Sequence, residues 1–243
     1  MLEQKPRRGL PHWYQPGHAH FVTYRLAGSI PLSMLRTFKN EQQERIRAIK
    51  SAGLYRQVEL SRLHKVMFSR YDDALDTANA PSWLREPAVA AIIRENLYHH
   101  HGVKFQLLAY CVMPTHMHVV LQPFESALTV PKNIDVAPSF GLEQGDQVGV
   151  LGKIMHSLKS YTANRANEYL QRGGAFWQKE SYDHWILDID ELERIVAYVM
   201  ANPVKAGLCR QPHEWEFSSA FDRFQRDGST CGLVSWLQDD WRK

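Results

Sequence analysis

A pair of histidines separated by one residue is the feature of this sequence that most clearly suggests chemistry. His116 and His118 lie in a largely apolar run that starts at Met113 and ends at Pro123. Side chains alternate between faces along a β-strand, so both imidazoles would lie on one face, about 6–7 Å apart along the strand. Two imidazole nitrogens on one face suit a divalent cation, and such a cation could act on a phosphate.

The spacing alone leaves a second interpretation open. The chain has 12 histidines, and two at alternate positions could simply be polar residues on a solvated strand face. Metal sites normally have a third ligand, and hydrogen-bond partners that orient the first two. A metal site here therefore requires a ligand from another part of the chain.

The composition is that of a globular protein. The chain has 243 residues, of which 44% are hydrophobic, enough for one large domain or two small ones. The net charge of +3 does not by itself indicate nucleic-acid binding. Its 3 cysteines are far apart and predict neither a disulfide framework nor a cysteine metal site. Because no stretch approaches 18 apolar residues and the N-terminus lacks an apolar signal core, we expect a cytoplasmic protein without a membrane partner.

Three runs of β-type sequence must position the histidine pair. Residues 104–112 and 116–122 are separated only by Met113, Pro114 and Thr115, which predicts an antiparallel hairpin. Residues 18–26 predict a further strand near the N-terminus. The pair would then lie at the start of an interior strand.

Four segments have helical periodicity. Helices are predicted over 32–51, over 88–101 after Pro87, and over 151–170 with a stop at the glycines 173–174. The fourth would start at Asp188, an N-cap with Glu191 three residues later, and end before Pro203. The third helix has an apolar stripe of residues at steps of three or four, namely Leu151, Met155, Leu158, Thr162, Ala166 and Leu170.

The chain has neither an internal repeat nor a clean linker. We therefore predict one domain over 1–243, with a helical insertion at about 32–101 and a C-terminal extension at about 203–243. Residues 124–150 are rich in Pro, Gly, Ser and Gln and too long for a tight connection, which predicts a mobile loop or lid.

Tyr161 lies at the edge of the apolar stripe in a basic part of the chain. Either it is a packing residue with a solvated hydroxyl, or it is a nucleophile. A phenol has a pKa near 10, so attack at neutral pH needs nearby cations or a polarised phosphate. The surrounding basic residues could form a phosphate-facing surface or merely a solvated helix face; they are Lys153, Lys159, Arg165, Arg172 and Lys179.

Four sequence blocks occur in an order that resembles one family. They are Val-Met-Pro-Thr-His-Met-His-Val at 112–119, His-Ser-Leu-Lys-Ser-Tyr-Thr-Ala-Asn-Arg-Ala-Asn at 156–167, Phe-Trp-Gln-Lys-Glu-Ser-Tyr-Asp-His at 176–184 and Asn-Pro-Val-Lys-Ala-Gly at 202–207. Over roughly residues 12–219 the chain resembles the REP-associated tyrosine transposases, relatives of the single-tyrosine HUH transposases of the insertion-sequence-200 type.

The resemblance implies a fold, a cofactor and a reaction. The fold is α+β, with an antiparallel ferredoxin-like or RRM-like sheet, the histidine pair on a central strand, and the tyrosine helix beside it. His116 and His118 would bind Mg²⁺ or Mn²⁺ at a phosphate of single-stranded hairpin DNA. Tyr161 would attack that phosphate, forming a 5′-phosphotyrosine link and releasing a 3′-hydroxyl for strand joining.

The resemblance also implies a third metal ligand, usually an amide about one turn after the nucleophile. Arg165 occupies that position after Tyr161, so we choose Asn164 as the ligand and assign Arg165 to phosphate binding with Lys153, Lys159 and Arg172. Asp183 and His184 are candidates for positions behind the metal ligands or for proton transfer. Thr115 stands where relatives commonly have Asn, which would affect the turn more than the metal.

Two alternatives to a transposase-like enzyme stay open at this point. One is a hairpin-DNA-binding regulator that has lost cleavage, which the missing amide four residues after Tyr161 would favour. The other is a rolling-circle or relaxase-like nickase, although the sequence has no helicase P-loop. In each case we expect a monomer or homodimer that binds single-stranded or hairpin DNA.

Overall fold

A four-stranded antiparallel sheet organises the computed structural model, which describes residues 17–51, 56–77, 80–124 and 149–229. The strands are β1 (His20–Arg25), β2 (Phe105–Val112), β3 (His116–Pro123) and β4 (Tyr182–Trp185), in the order β2-β3-β1-β4. The predicted α+β class is confirmed, and the histidine pair lies on an interior strand.

Strand register places particular residues opposite the histidines. Thr23 of β1 pairs with His118, and Arg25 pairs with His116. On the other side β2 and β3 form the predicted hairpin, in which Cys111 pairs with His118. Because opposite residues of an antiparallel pair point to the same face, all five side chains belong to one face of the sheet.

Helices surround the sheet, and four of the six in the described ranges lie close to predicted positions. In the described ranges they are α1 (Leu32–Ser51), α2 (Arg56–Thr77), α3 (Pro87–His100), α4 (Val150–Tyr169), α5 (Ile189–Lys205) and α6 (Ser219–Asp227). Helix α2 lies within the predicted helical insertion and α6 within the predicted C-terminal extension, but the sequence pattern did not identify either helix separately. The predicted loop falls almost entirely outside the described residues, as does the end of the predicted C-terminal extension.

The two faces of the sheet pack against different helices. On one face Met117, Val119 and Leu121 form a core with buried residues of α3 and α4. On the other, Phe21 and Val120 pack with buried residues of α5 and with half-buried Phe68 of α2. We call the first the α4 face and the second the histidine face. Along β3 the histidines alternate with Met117 and Val119, so they point to the histidine face.

Helix α5 starts as predicted but continues past the predicted end. The Asp188 side chain accepts a hydrogen bond from the backbone N–H of Glu191. Pro203 lies inside the helix, where the missing N–H removes only one bond of the last turn. The helix ends where Gly207 adopts a φ of 69°, which glycine tolerates easily. Asn202 is therefore a helical residue, one turn after Tyr198.

None of the helices within the described ranges combines the length and apolar character that a membrane span requires.

Candidate metal centre

Three buried side chains converge on the histidine face. The Nε2 atoms of His116 and His118 lie 3.0 Å apart. Asp72 Oδ1 is 3.2 Å from Nε2 of His118 and 3.8 Å from Nε2 of His116. All three side chains are 0% exposed, and their ligand atoms lie within 4.8 Å of one another. This is the geometry of a candidate metal site.

Asp72 reaches the histidines because α2 packs across the histidine face. The Phe68 ring, one turn before Asp72, contacts the Phe21 ring of β1 at 5.3 Å. Later in α2, the carbonyl of Leu75 accepts a hydrogen bond of 3.0 Å from the Thr115 hydroxyl in the β2–β3 turn. These two contacts hold the middle of α2 against the strand that carries the histidines.

Threonine hydroxyls lie behind both imidazoles. Thr115 Oγ1 is 2.9 Å from Nδ1 of His116, and Thr23 Oγ1 is 2.7 Å from Nδ1 of His118. The Thr115 hydroxyl has a single proton, and that proton is donated to Leu75. Thr115 must therefore accept from Nδ1–H of His116, which leaves Nε2 of that ring with its lone pair. Thr115 thus does more than shape the turn, because it fixes the His116 tautomer.

Charge states in the cluster match those of metal ligands. Burial raises the pKa of Asp72, but the neighbouring His118 and His116 rings lower it more, so its pKa lies well below the usual range. Burial, together with the charge of His118, lowers the pKa of His116 well below its usual value. The carboxylate is therefore anionic and the His116 imidazole neutral at neutral pH, which are the metal-binding forms of both groups.

The residues fit a cation for a further reason. Asp72 Oδ1 is buried without a hydrogen bond of normal geometry among the described residues, despite its approach to His118. A buried anionic oxygen without such a partner is costly, and a bound cation removes that cost. One carboxylate and two imidazoles form a mixed donor set that suits divalent first-row ions such as Mn²⁺.

A tyrosine from α5 contacts the other oxygen of Asp72. The Tyr198 hydroxyl donates to Asp72 Oδ2, and its ring lies 5.7 Å from the His118 ring. Burial and the Asp72 charge raise the pKa of Tyr198, so the phenol is protonated at neutral pH. Lys205 Nζ lies 3.5 Å from the same Asp72 oxygen and 2.8 Å from Asp73 Oδ1. A phenol and an ammonium group therefore border the cluster.

An asparagine lies one turn after this tyrosine. Asn202 is 1% exposed, and neither of its amide atoms makes a hydrogen bond of normal geometry in the part of the chain described. The amide is close enough to Tyr198 to oppose the rise in its pKa. The spacing from Tyr198 to Asn202 is the one that the resemblance implied for a nucleophile and an amide ligand, but on a different helix.

The structure does not bring Tyr161 and Asn164 together with the histidine pair. Helix α4 packs on the α4 face, where its buried residues Ile154 and Leu158 join the core around Met117. Tyr161 is 51% exposed, and Asn164 is also exposed. The physical reason is the apolar stripe of α4, which is buried against the apolar side of β3 and not against its histidines.

The basic residues around α4 have varied environments. Lys159 Nζ donates to the carbonyls of Gln178 at 2.6 Å and Lys179 at 2.9 Å. Arg172 lies 3.7 Å above the Trp83 ring. Arg165 pairs with Glu168 at 2.6 Å, and Lys153 is exposed. The contacts of Lys159 and Arg172 join segments of the fold, whereas Lys153 and Arg165 remain on the surface.

Asp183 and His184 lie on different faces of β4. His184 pairs with Phe21 and so belongs to the histidine face, where its Nε2 is 3.2 Å from Glu191 Oε1. Asp183 pairs with Val22, a residue of the α4-face core. Neither residue is part of the group formed by Asp72 and the two histidines.

Asp72, Tyr198 and Asn202 are the residues of this site that the sequence patterns did not identify. Asp72 belongs to Asp72-Asp73-Ala-Leu-Asp76, a concentration of acids within one helix. Tyr198 and Asn202 have the four-residue spacing that places two side chains on one helical face. Both signals were present, but neither lies near the histidines in the sequence.

The chain was compared with known proteins, and the similar proteins found share one description. No family model matches the chain. A protein of Haemophilus influenzae named "Putative REP-associated tyrosine transposase" is 26% identical over 124 residues, which are 51% of this chain and 61% of the relative. The match thus spans about three fifths of the relative's length.

Among solved structures, one of a REP-associated tyrosine transposase bound to a REP hairpin aligns over 94% of this chain and 91% of that chain, with 15% identity and a TM-score of 0.48. The curated relative bears out the resemblance that the sequence blocks indicated: this chain is similar to the REP-associated tyrosine transposases.

Proposed function

We propose that this protein is a metal-dependent enzyme that cleaves and rejoins single-stranded DNA next to hairpins, with Tyr198 as the nucleophile. One observation carries the proposal. A single carboxylate, Asp72, contacts the Tyr198 hydroxyl through one oxygen and the Nε2 atoms of the histidine pair through the other. A candidate nucleophile and a candidate metal site thus share one residue.

Asp72, His116 and His118 would hold the metal ion, with Mn²⁺ or Mg²⁺ as the candidates. When bound, the ion supplies a positive charge that polarises the scissile phosphate. Asn202 is well placed to contribute a further oxygen ligand, because its amide is buried beside Tyr198. Asn164 is exposed on α4, and so it is not part of this proposed ligand set.

The chemistry of Tyr198 follows from its hydrogen bond. Its phenol oxygen would attack phosphorus and form a phosphotyrosine ester with the 5′ side of the break. The bond from phosphorus to the 3′ oxygen breaks, and that oxygen takes a proton from solvent water and leaves as a hydroxyl. The phenol proton already points at Asp72 Oδ2, which can accept it as the new bond forms. The reverse of these steps rejoins a strand.

Two considerations support hairpin DNA as the substrate. The curated relative is named as a REP-associated tyrosine transposase, and the sequence blocks resemble the same family.

The departure that favoured a cleavage-deficient binding protein was the absence of an amide four residues after Tyr161. With Tyr198 as the nucleophile, Asn202 occupies that position.

Covalent trapping tests the nucleophile directly. The protein is incubated with end-labelled hairpin DNA and Mn²⁺, and the adduct is mapped by mass spectrometry after tryptic digestion. Tyr182 is a third candidate, because it pairs with Thr23 and so belongs to the histidine face. The candidates fall in separate peptides, 195–205 for Tyr198, 160–165 for Tyr161 and 180–194 for Tyr182. We expect the adduct on 195–205.

Matched phenylalanine variants complete the test. Tyr198→Phe should abolish the adduct, because it removes only the attacking oxygen. Tyr161→Phe and Tyr182→Phe should both retain it. An adduct on 160–165 would contradict the proposal and return the nucleophile to α4. An adduct that survives in Tyr198→Phe would also contradict it, and the labelled peptide would identify the nucleophile.

A further inference from the structure

Helix α1 contributes little to the core of the protein. Its inward residues are only half-buried, and none of its side chains that the structure describes is fully buried; the inward apolar ones are Leu35, Phe38, Ile46 and Ile49. The helix packs on α2 and leaves most of its surface to solvent. Burial of apolar area therefore does not by itself explain a helix of 20 residues at this place.

An exposed stripe of cations and amides runs along α1. It consists of Arg36, Lys39, Asn40, Gln43 and Arg47, all of them exposed. Their spacing of three, four, seven and eleven residues from Arg36 places them on one side of the helix. The stripe contains no acidic residue and is about 17 Å long at a rise of 1.5 Å per residue. We call it the α1 basic stripe.

The cations of this stripe differ from the others on the same pair of helices. Arg45 and Arg70 both pair with Glu41, and Arg62 pairs with Glu59. Arg36, Lys39 and Arg47 have no ion pair with any of the described residues. Glu44, exposed three residues before Arg47, is the acidic residue that flanks the stripe. Three unpaired cations against one flanking carboxylate leave a net positive surface that is complementary to a row of phosphates.

The stripe suits double-stranded rather than single-stranded DNA. Proteins that bind single strands combine positive charge with aromatic side chains on which bases stack, and the stripe has no aromatic residue. In a duplex each strand has one phosphate per 3.4 Å of helix axis. A row of about 17 Å can therefore follow roughly five phosphates of one strand.

Contacts between α1 and α2 link the stripe to the metal centre. Arg70 of α2 pairs with Glu41 of α1 and lies 5.4 Å from the Phe38 ring. Asp72, the candidate metal ligand, follows Arg70 by two residues on α2. A duplex bound along α1 would therefore be held in a fixed position relative to Asp72 and Tyr198.

We propose that the α1 basic stripe binds the phosphate backbone of the double-stranded stem of the hairpin, and so presents the adjoining single strand to the metal centre. The inference rests on the proposed function. Contacts to phosphate fix register without reading sequence. The stripe would therefore contribute affinity for any stem and would not select the target sequence.

Replacing the three stripe cations tests this proposal. In the triple variant Arg36→Gln, Lys39→Gln and Arg47→Gln, glutamine keeps helix propensity while removing charge. Arg45→Gln is the matched control, because Arg45 lies half a turn around the same helix and pairs with Glu41. Affinity is measured by fluorescence anisotropy with EDTA, over a series of salt concentrations. The probes are a hairpin with a stem of about 12 base pairs, enough for one turn of duplex, and its unpaired flank as a free single strand.

We expect DNA affinity to fall only for the hairpin probe and only in the triple variant. Each lost phosphate contact lowers the slope of log affinity against log salt by about 0.9, so the slope should fall by nearly 3. Affinity for the free single strand should stay within about twofold of wild type, because the stripe would release counterions only from the duplex stem. Arg45→Gln should match wild type on both probes. An unchanged hairpin slope in the triple variant, or an equal loss on both probes, would overturn the proposal.

Cleavage by the wild-type protein separates this inference from the proposed function. The same hairpin is incubated with wild type and Mn²⁺. If wild type cleaves the hairpin and the triple variant binds it as tightly as wild type does, only the stripe assignment fails. If wild type neither binds nor cleaves it, the proposed function fails, and the stripe assignment fails with it.

Discussion

Replacing Thr115 with valine should weaken metal binding without removing any metal ligand. The Thr115 hydroxyl accepts from Nδ1–H of His116 while it donates to the Leu75 carbonyl. Valine has a similar shape but cannot accept the ring proton. The proton can then move to Nε2, where it would point at Nε2 of His118, 3.0 Å away, and compete with the metal.

The size of the effect follows from this hydrogen bond. Loss of a hydrogen bond behind a metal-binding histidine typically lowers metal affinity by about 10- to 100-fold. That range corresponds to about 1.4–2.8 kcal/mol. The Leu75 carbonyl also loses its partner, so the free energy of unfolding should fall by about 1–3 kcal/mol. Thr115→Ser retains a hydroxyl and should restore most of the metal affinity.

Isothermal titration with Mn²⁺ measures the change, and Thr162→Val is the matched control. Thr162 is also buried; its hydroxyl donates to the Leu158 and Lys159 carbonyls and accepts from the Trp177 indole, but it belongs to α4. It should lose stability and keep its metal affinity. Equal Mn²⁺ affinity in Thr115→Val and wild type would refute the tautomer argument.

Three further results are expected. His116→Ala and His118→Ala should each abolish Mn²⁺-dependent cleavage in a gel assay. Hairpin affinity should stay within about twofold of wild type, because the imidazoles bind the metal rather than the DNA backbone. Cleavage at the wild-type rate in either variant would contradict the metal assignment. Burial, and then the charge of Lys104, lower the pKa of His100 to about 4. The unfolded chain therefore binds more protons between about pH 4 and 6.5, and thermal melts should show stability lost as pH falls through this window, less so in His100→Gln; parallel pH profiles for the two proteins would contradict this. Lys159→Met should lower the melting temperature, because Lys159 donates to two backbone carbonyls. The same variant should leave the salt slope of DNA binding unchanged. A shallower slope at unchanged stability would instead indicate that Lys159 contacts DNA.

Three of the four described strands could be predicted because their signals are local, whereas the four-residue strand β4 was not predicted. The β2–β3 hairpin follows from two β-type runs with a three-residue connection, and the alternation within β3 places both histidines on one face. The Asp188 cap is a local signal of the same kind. In each case a few neighbouring residues determine the structure.

The third metal ligand and the nucleophile could not be predicted, because they depend on which helices pack against the histidine face. Sequence periodicity predicts a helix and its apolar side but not the part of the sheet that it covers. Helices α4 and α5 both have an apolar stripe and a tyrosine, and nothing within either pattern says which face of the sheet it will cover. Asp72 precedes His116 by more than forty residues, and only the packing of α2 brings it to the site. The spacing of Tyr198 and Asn202 was the available sequence signal for α5.

Manganese binding to two single variants tests the central claim most directly. Asp72→Ala removes the carboxylate proposed to join the metal site to Tyr198, whereas Asn164→Ala removes the ligand that the sequence pattern favoured. Titration of Mn²⁺, followed by electron paramagnetic resonance of the bound ion, reports affinity and the number of sites. We expect one Mn²⁺ site in wild type and an unchanged affinity in Asn164→Ala. In Asp72→Ala the affinity should fall by at least about 100-fold, because removing a metal ligand should cost more than removing a hydrogen bond behind one. Wild-type affinity in Asp72→Ala together with loss in Asn164→Ala would contradict the account and move the metal centre to α4.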